Sequence, residues 1–213
     1  MDELMETDAG KRKLAKIQKS VGSMDYAGEK SFAGCTATVV LITSNEIYCA
    51  NAGDSRTVLS KSGKVIELSK DHKPDDEGEL KRIQNAGGYV EDSRVNGILA
   101  LSRALGDFEY KNNTSLKAKD QAVSALPDVK SVPITADTEF ILLACDGVWD
   151  VKESQEGVTF FHNKVYKNHA KPTLKQLEQG MEALLDDCCA KDLASSEGLG
   201  CDNITAIIVE IVH

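Results

Sequence analysis

The stretch Phe140-Ile141-Leu142-Leu143-Ala144-Cys145 is a run of six apolar or small residues bounded by polar sequence, and it stops at Asp146-Gly147. A run of this length and composition reads as a strand buried on both faces, because a half-exposed strand would alternate polar with apolar side chains. Its end sets a carboxylate at the mouth of a core strand. Gly147 lets the backbone turn sharply there, and Asp150, four positions on, can fold back toward the same point. Two carboxylates facing one small space repel and raise each other's pKa unless a cation shares them, and a hard divalent ion with oxygen ligands suits such a place. A strand that simply closes in an Asp-Gly turn accounts for the same residues.

The 213 residues, 41% hydrophobic and 28% charged, suffice for one substantial core, so a single domain over residues 1–213 is expected. A formal net charge of −9 argues against non-specific binding to nucleic acid or an anionic membrane, both of which need a basic surface. The six cysteines, Cys35, Cys49, Cys145, Cys188, Cys189 and Cys201, show no CxxC spacing, and are expected to be reduced core thiols of a cytoplasmic or nuclear protein. The first residues have no apolar signal-like core, and nowhere is an apolar run long enough to span a bilayer, so neither secretion nor membrane insertion is expected.

Along the chain, Leu4, Met5, Leu14, Ile17 and Val21 recur at near-helical spacing and predict one amphipathic helix over residues 1–21, weakened at Gly10. Residues 22–34 read as a polar loop. Thr36 to Thr43 and Glu46 to Ala50 form a hairpin pattern, followed by strands at Thr57–Ser60 and Val65–Leu68, so an antiparallel sheet is predicted. A short helix is expected from Asp75 to Ala86, stopped by Gly87-Gly88, and residues 111–124 read as a mobile loop or flap. Glu153 to Asn168 and the segment opened by the capping box Thr173-Leu174-Lys175-Gln176 predict two helices covering a sheet face. The adjacent Cys188-Cys189 read as packing rather than redox chemistry, and a last strand runs from Ile204 to Ile211. Arg94 and Arg103 suit a phosphate or a structural carboxylate, and the second role is expected for both. No P-loop, nucleophile elbow or zinc spacing occurs, and His72, His162, His169 and His213 are expected to be solvated.

An aspartate at the tip of a strand recurs at Asp54, at Asp146 with Asp150, and at Asp202. If these ends converge, four carboxylates meet and need a cation. Mg²⁺ or Mn²⁺ would neutralise them and lower the pKa of a bound water, a nucleophile suited to in-line attack on phosphorus, so hydrolysis of a phosphate ester is the chemical expectation. Taken alone, an aspartate placed like Asp54 beside Gly53 and Ser55 is most often a turn residue.

Eight ordered segments carry a resemblance: Gly34-Cys35-Thr36-Ala37, Ala50 to Arg56, Asp71-His72-Lys73-Pro74, Asn85-Ala86-Gly87-Gly88, Arg94 to Asp107 with Tyr110-Lys111, Pro127-Asp128-Val129, Ala144 to Val151, and Cys201 to Thr205. In this order they resemble the motifs of the metal-dependent type 2C protein serine/threonine phosphatases, from about Gly34 to the C-terminus. The resemblance implies an α+β fold, an antiparallel β-sandwich flanked by α-helices, with a dinuclear Mg²⁺/Mn²⁺ centre at one end and phosphoproteins as substrates. Carried over by motif, Asp146 and Asp202 look like ligands of the first catalytic metal, and Asp54 and Asp150, with Asp146, resemble the carboxylates of a weaker third-metal site. The polar segment after Asp107 corresponds to the flap beside the substrate cleft.

The departures matter equally. Members of that family normally begin with an Arg-containing phosphate clamp and a Val-Phe-Asp-Gly-His-Gly-Gly strand-turn, which supplies a bridging Asp, a carbonyl for the second metal and a general-acid His. Neither occurs here: the only Asp-Gly pair is Asp146-Gly147. The resemblance therefore implies an N-terminally truncated catalytic domain lacking the first strands, weak or inactive by itself, with no catalytic side chain assigned. Exposed apolar faces and open sheet edges would then favour oligomerisation. The rival expectation is a pseudophosphatase, a non-catalytic binding module that keeps the fold.

Overall fold

The computed structural model describes residues 1–20, 33–167 and 171–213. In chain order the elements are α1 (Asp2–Glu6), α2 (Asp8–Ser20), β1 (Gly34–Cys35), β2 (Ala37–Ile42), β3 (Glu46–Ala52), β4 (Arg56–Lys61), β5 (Lys64–Glu67) and α3 (Glu77–Asn85). They continue with β6 (Val90–Glu91), β7 (Arg94–Val95), β8 (Leu105–Gly106), β9 (Asp128–Pro133), β10 (Thr138–Ala144), α4 (Asp146–Trp149), α5 (Ser154–Phe161), α6 (Leu174–Cys188) and β11 (Ala206–Glu210). They fall into two compact units: Met1–Ala37 with His72–Pro127, and Thr38–Asp71 with Asp128–His213.

The second unit is the expected α+β sandwich. Its four-stranded sheet has the order β11-β10-β4-β5, and its three-stranded sheet the order β2-β3-β9. The run singled out in the sequence is the central strand β10, and its alternate residues serve two cores. Phe140, Leu142 and Ala144 pack with Val58 against Val148 and Trp149 of α4, Val158 and Phe161 of α5, and Leu177, Met181 and Leu184 of α6. Ile141 and Leu143 pack with Leu59, Ile47, Cys49 and Leu68 between the two sheets. Burial on both faces thus follows from period two and two different neighbours. Helix α6 begins at the expected capping box, Thr173 with Gln176. Helix α5 ends in a π-helical turn, His162–Tyr166, where a helix to Asn168 had been expected; residue 168 lies outside the described residues. On β2, Val39 and Leu41 remain exposed.

In the first unit, α3 packs Ile83 with Val95, Ala104, Tyr110, Ala122 and Val123. Asp76 occupies the N-cap position of α3, with no capping bond from its side chain. The N-terminal helix is two helices rather than one. Thr7 is extended and breaks the chain, its hydroxyl accepting from the Gly10 N–H at 3.0 Å and so capping α2; Val21 and most of the loop expected over 22–34 lie outside the described residues. Residues 111–124 are not wholly a surface loop, because Gln121 to Ser124 are buried and Gln121 holds Asn113 through its amide.

Candidate metal centre

The register of the four-stranded sheet decides where the aspartates go. Ala144, the last residue of β10, pairs with Arg56, the first of β4, and with Ala206, the first of β11. Antiparallel pairing therefore ends one strand where its two neighbours begin, and the three connecting segments leave the same edge. Asp54 lies two residues before Arg56, Asp146 two after Ala144, and Asp202 four before Ala206.

Local chemistry refines that placement. Asp54 follows a turn in which Gly53 takes φ +115°, a value that glycine tolerates. The buried Asn51 amide closes this turn by donating to the Gly53 carbonyl at 3.0 Å. Asp146 opens α4, and its Oδ1 accepts from the Gly147 N–H at 3.0 Å. Trp149 pins α4 to the strand ends, its indole N–H donating to the carbonyls of Ala144 (2.9 Å) and Arg56 (3.1 Å). Across the edge, the Cys145 N–H donates to the Thr205 carbonyl at 3.1 Å. A Cβ on Gly147 would stand 2.5 Å from the Asn203 carbonyl oxygen, so only glycine lets the backbone beside Asp202 approach so closely.

The four carboxylates run from core to solvent: Asp54 is buried, Asp146 half-buried, and Asp150 and Asp202 exposed. Burial first, and then the charges of Asp54, Asp150 and Asp202, push the Asp146 carboxyl above the usual aspartate range, against the pull of the Gly147 N–H. The other three are thus within electrostatic reach of Asp146. Among the described residues, no group of three or more His, Cys, Asp or Glu side chains is gathered closely enough to hold a metal ion as it stands. An open set of carboxylate oxygens fits a small hard cation that keeps several of its waters, and does not fit a soft or fully caged metal. A cleft of about 400 Å³ is lined by Asp150 and Asp202, with Gly147, Glu197 and Gly198 among others, and Asp54 and Asp146 do not line it. Glu197, at φ +52°, is a lining residue that the reading of the sequence did not single out. An acidic residue before a glycine is the same signal seen at Asp146.

Other expected roles resolve as follows. Arg103 is structural, donating to both oxygens of Glu79 (2.7–3.1 Å), which also accepts from Arg82 and Ser102. Arg94 donates to the Ile98 carbonyl rather than to a carboxylate in its shortest contact, 2.7 Å. The expectation of solvated histidines fails at His72, which is 3% exposed. It is also too simple for His162, which lies 3.0 Å from Glu139, and for His213, which lies 2.9 Å from the Thr138 carbonyl; His169 lies outside the described residues. Of the cysteines, Cys49 and Cys188 are core thiols as expected, whereas Cys35, Cys189 and Cys201 are exposed.

Comparison with known proteins bears on the family and the fold. The family profile of Protein phosphatase 2C matches residues 2–196. The chain belongs to that family. The match begins well before Gly34, and it stops short of Asp202. A Paramecium tetraurelia relative, "Probable protein phosphatase 2C 5", is 46% identical over 209 residues, covering 98% of this chain and 66% of the relative. Protein phosphatase 1G of Homo sapiens is 51% identical over 180 residues, covering 84% of this chain and 33% of the relative. Among solved structures, a phosphatase from a pathogenic strain of Toxoplasma gondii superposes with a TM-score of 0.63 at 33% identity, covering 79% of this chain and 50% of that one. The chain thus spans one third to two thirds of the length of these curated relatives.

Proposed function

We propose that the strand-tip aspartates of this chain form part of the metal centre of a protein serine/threonine phosphatase that hydrolyses phosphoserine and phosphothreonine esters. The observation that carries the reading is the register at Ala144, which brings the segments of Asp54, Asp146 and Asp202 to one edge. Asp146 and Asp202 would hold a first Mg²⁺ or Mn²⁺, and Asp54 and Asp150, with Asp146, a weaker additional ion. When bound, such an ion supplies neutralisation of the clustered carboxylates and Lewis acidity toward water and phosphate oxygens.

The protein's own contribution is positioning. The Gly147 N–H fixes one oxygen of Asp146, Trp149 ties α4 to the strand ends, and the Asn51-braced turn holds Asp54 on the buried side. Arg56 is not a phosphate clamp here: its guanidinium is committed to both oxygens of Asp71 at 2.8 and 2.9 Å and to Ser154 at 2.9 Å. No Asp-Gly-His segment occurs in these 213 residues, so this set lacks a histidine placed to protonate the leaving serine or threonine oxygen. We infer feeble turnover by the polypeptide of these residues alone.

The reading is tested by assaying a phosphothreonine peptide and p-nitrophenyl phosphate with and without Mn²⁺, beside calorimetric Mn²⁺ titration of the wild type and of Asp202→Asn. Mn²⁺ binding that weakens in Asp202→Asn, together with slow but measurable turnover, is the expected result. Unchanged affinity in the variant would remove Asp202 from the metal site, and rapid turnover abolished by Asp146→Asn would overturn the inference of low activity. Binding with no turnover at any Mn²⁺ concentration is the outcome expected of a non-catalytic binding module.

A further inference from the structure

The loop that carries Asp202 departs from the end of α6 and comes back to it. Cys189 caps that helix, its N–H donating to the Leu185 carbonyl at 3.2 Å, and the next residue, Ala190, donates its N–H to the Gly200 carbonyl at 2.9 Å. The approach is close enough that a Cβ on Gly200, at φ +71°, would stand 2.6 Å from the Cys188 carbonyl oxygen and 2.7 Å from the Ala190 nitrogen. Glycine at this position is what allows the two backbones to meet.

The bond from the Ala190 N–H to the Gly200 carbonyl joins the peptide between residues 189 and 190 to the peptide between residues 200 and 201, so residues 189 and 201 flank the same hydrogen bond. A disulfide spans Cα atoms about 4.4–6.8 Å apart, a separation that residues on the two sides of one backbone hydrogen bond can reach. Residues 189 and 201 are both cysteines, and both are exposed. The neighbouring Cys188 is a different case: it is 1% exposed in the helix-side core, and burial pushes its thiol up. Cys201 Sγ rests 3.2 Å from Ser196 Oγ and 3.7 Å from the Leu199 carbonyl. These are weak partners, which a change of χ1 rotamer gives up.

We infer that Cys189 and Cys201 form a redox-modification site at which a peroxide closes a disulfide, tying the Asp202 segment to the end of α6. The step balances with hydrogen peroxide as the two-electron oxidant. One thiolate attacks a peroxide oxygen, the O–O bond breaks, and a sulfenic acid and one water result. The second thiol then displaces the hydroxyl from that sulfur, giving the S–S bond and a second water. Each sulfur loses one electron, and both peroxide oxygens leave reduced. Asp202 is the residue after Cys201, so the new bond restrains a side chain that lines the cleft. The site concerns the two thiols alone and stands independently of the metal and of any phosphatase activity.

The test uses the full chain, reduced and then exposed to hydrogen peroxide, followed by non-reducing digestion with trypsin and mass spectrometry. Cleavage after Lys175 and Lys191 separates residues 176–191, with Cys188 and Cys189, from residues 192–213, with Cys201. The expected product is these two peptides joined with the loss of two hydrogens. In parallel, the exposed thiols titrated in the folded protein should fall from the three of Cys35, Cys189 and Cys201 to one. The link should survive in Cys188→Ser and vanish in Cys189→Ser and in Cys201→Ser, with far-UV circular dichroism confirming that each variant is folded. A link that persists in Cys189→Ser, covalent dimers in place of the internal link, or Cys201 oxidised only to sulfinic acid would each overturn the assignment.

Discussion

Gly147→Ala is the sharpest structural perturbation of the candidate centre. The added Cβ would lie 2.5 Å from the Asn203 carbonyl oxygen and 3.2 Å from Ile204 Cγ1. The first contact is about 0.9 Å inside ordinary van der Waals distance, and its partner is backbone that cannot swing aside as a side chain would. Overpacking of this kind costs about 1–3 kcal/mol, which is roughly a 5- to 150-fold loss in the folding equilibrium constant. Relief requires α4 and residues 203–204 to separate, moving Asp146 away from Asp202. The assay is equilibrium urea unfolding, with Gly78→Ala as an internal control. Gly78 lies exposed in the first turn of α3 with nothing within 4 Å of a Cβ, so its replacement by alanine should stabilise the protein by up to ~1 kcal/mol. Opposite signs for the two substitutions, and weaker Mn²⁺ binding by Gly147→Ala alone, are expected. A neutral or stabilising Gly147→Ala would refute the close approach of α4 to the Asp202 segment.

Three further outcomes are expected. Metal-free Asp146→Asn should unfold at a higher temperature than wild type at neutral pH: a carboxyl whose folded pKa is raised destabilises the fold once it ionises, and this substitution removes that charge. The advantage should shrink as the pH falls and the wild-type carboxyl takes up its proton, and a lower melting temperature for the variant would contradict the crowding of carboxylates. Burial raises the Glu79 carboxyl, but hydrogen bonds from Arg103, Ser102 and Arg82 outweigh it and hold the group down at about 2. Its contribution is therefore complete above the unfolded value near 4.5 and lost as pH drops from there toward 2; Glu79→Gln should cost about 3 kcal/mol at pH 7 by leaving two arginines under-compensated, and show a flatter acid limb in pH-dependent unfolding. Thr173→Ala removes the cap of α6 and should lower stability by about 1 kcal/mol, with no change expected in calorimetric Mn²⁺ affinity.

What the sequence revealed followed from periodicity and punctuation. The unbroken run at Phe140–Cys145 announced the central strand, Thr173 with Gln176 announced the start of α6, and aspartates beside glycines marked the strand ends. That these ends share an edge was not legible from spacing, because it depends on which strands pair: β10 lies between β4 and β11, which are distant from each other in sequence. Local and tertiary partners explain the remaining differences. The Thr7 hydroxyl competes for backbone and divides the N-terminal helix, His72 is buried in a stretch that reads as polar, and Glu79 recruits Arg82 and Arg103 across the first unit. The expectation of a core thiol fails at Cys189 for the same reason: it follows a core helix position, and only the return of the chain at Gly200 shows what lies near it.

The central claim, that strand tips in one sheet deliver their carboxylates to a shared cation, is tested most directly by anomalous diffraction from crystals grown with Mn²⁺. The account predicts a difference peak between Asp146 and Asp202, diminished or absent in Asp146→Asn. Well-ordered Asp146 and Asp202 side chains with no peak between them, or Mn²⁺ bound only elsewhere on the chain, would contradict it.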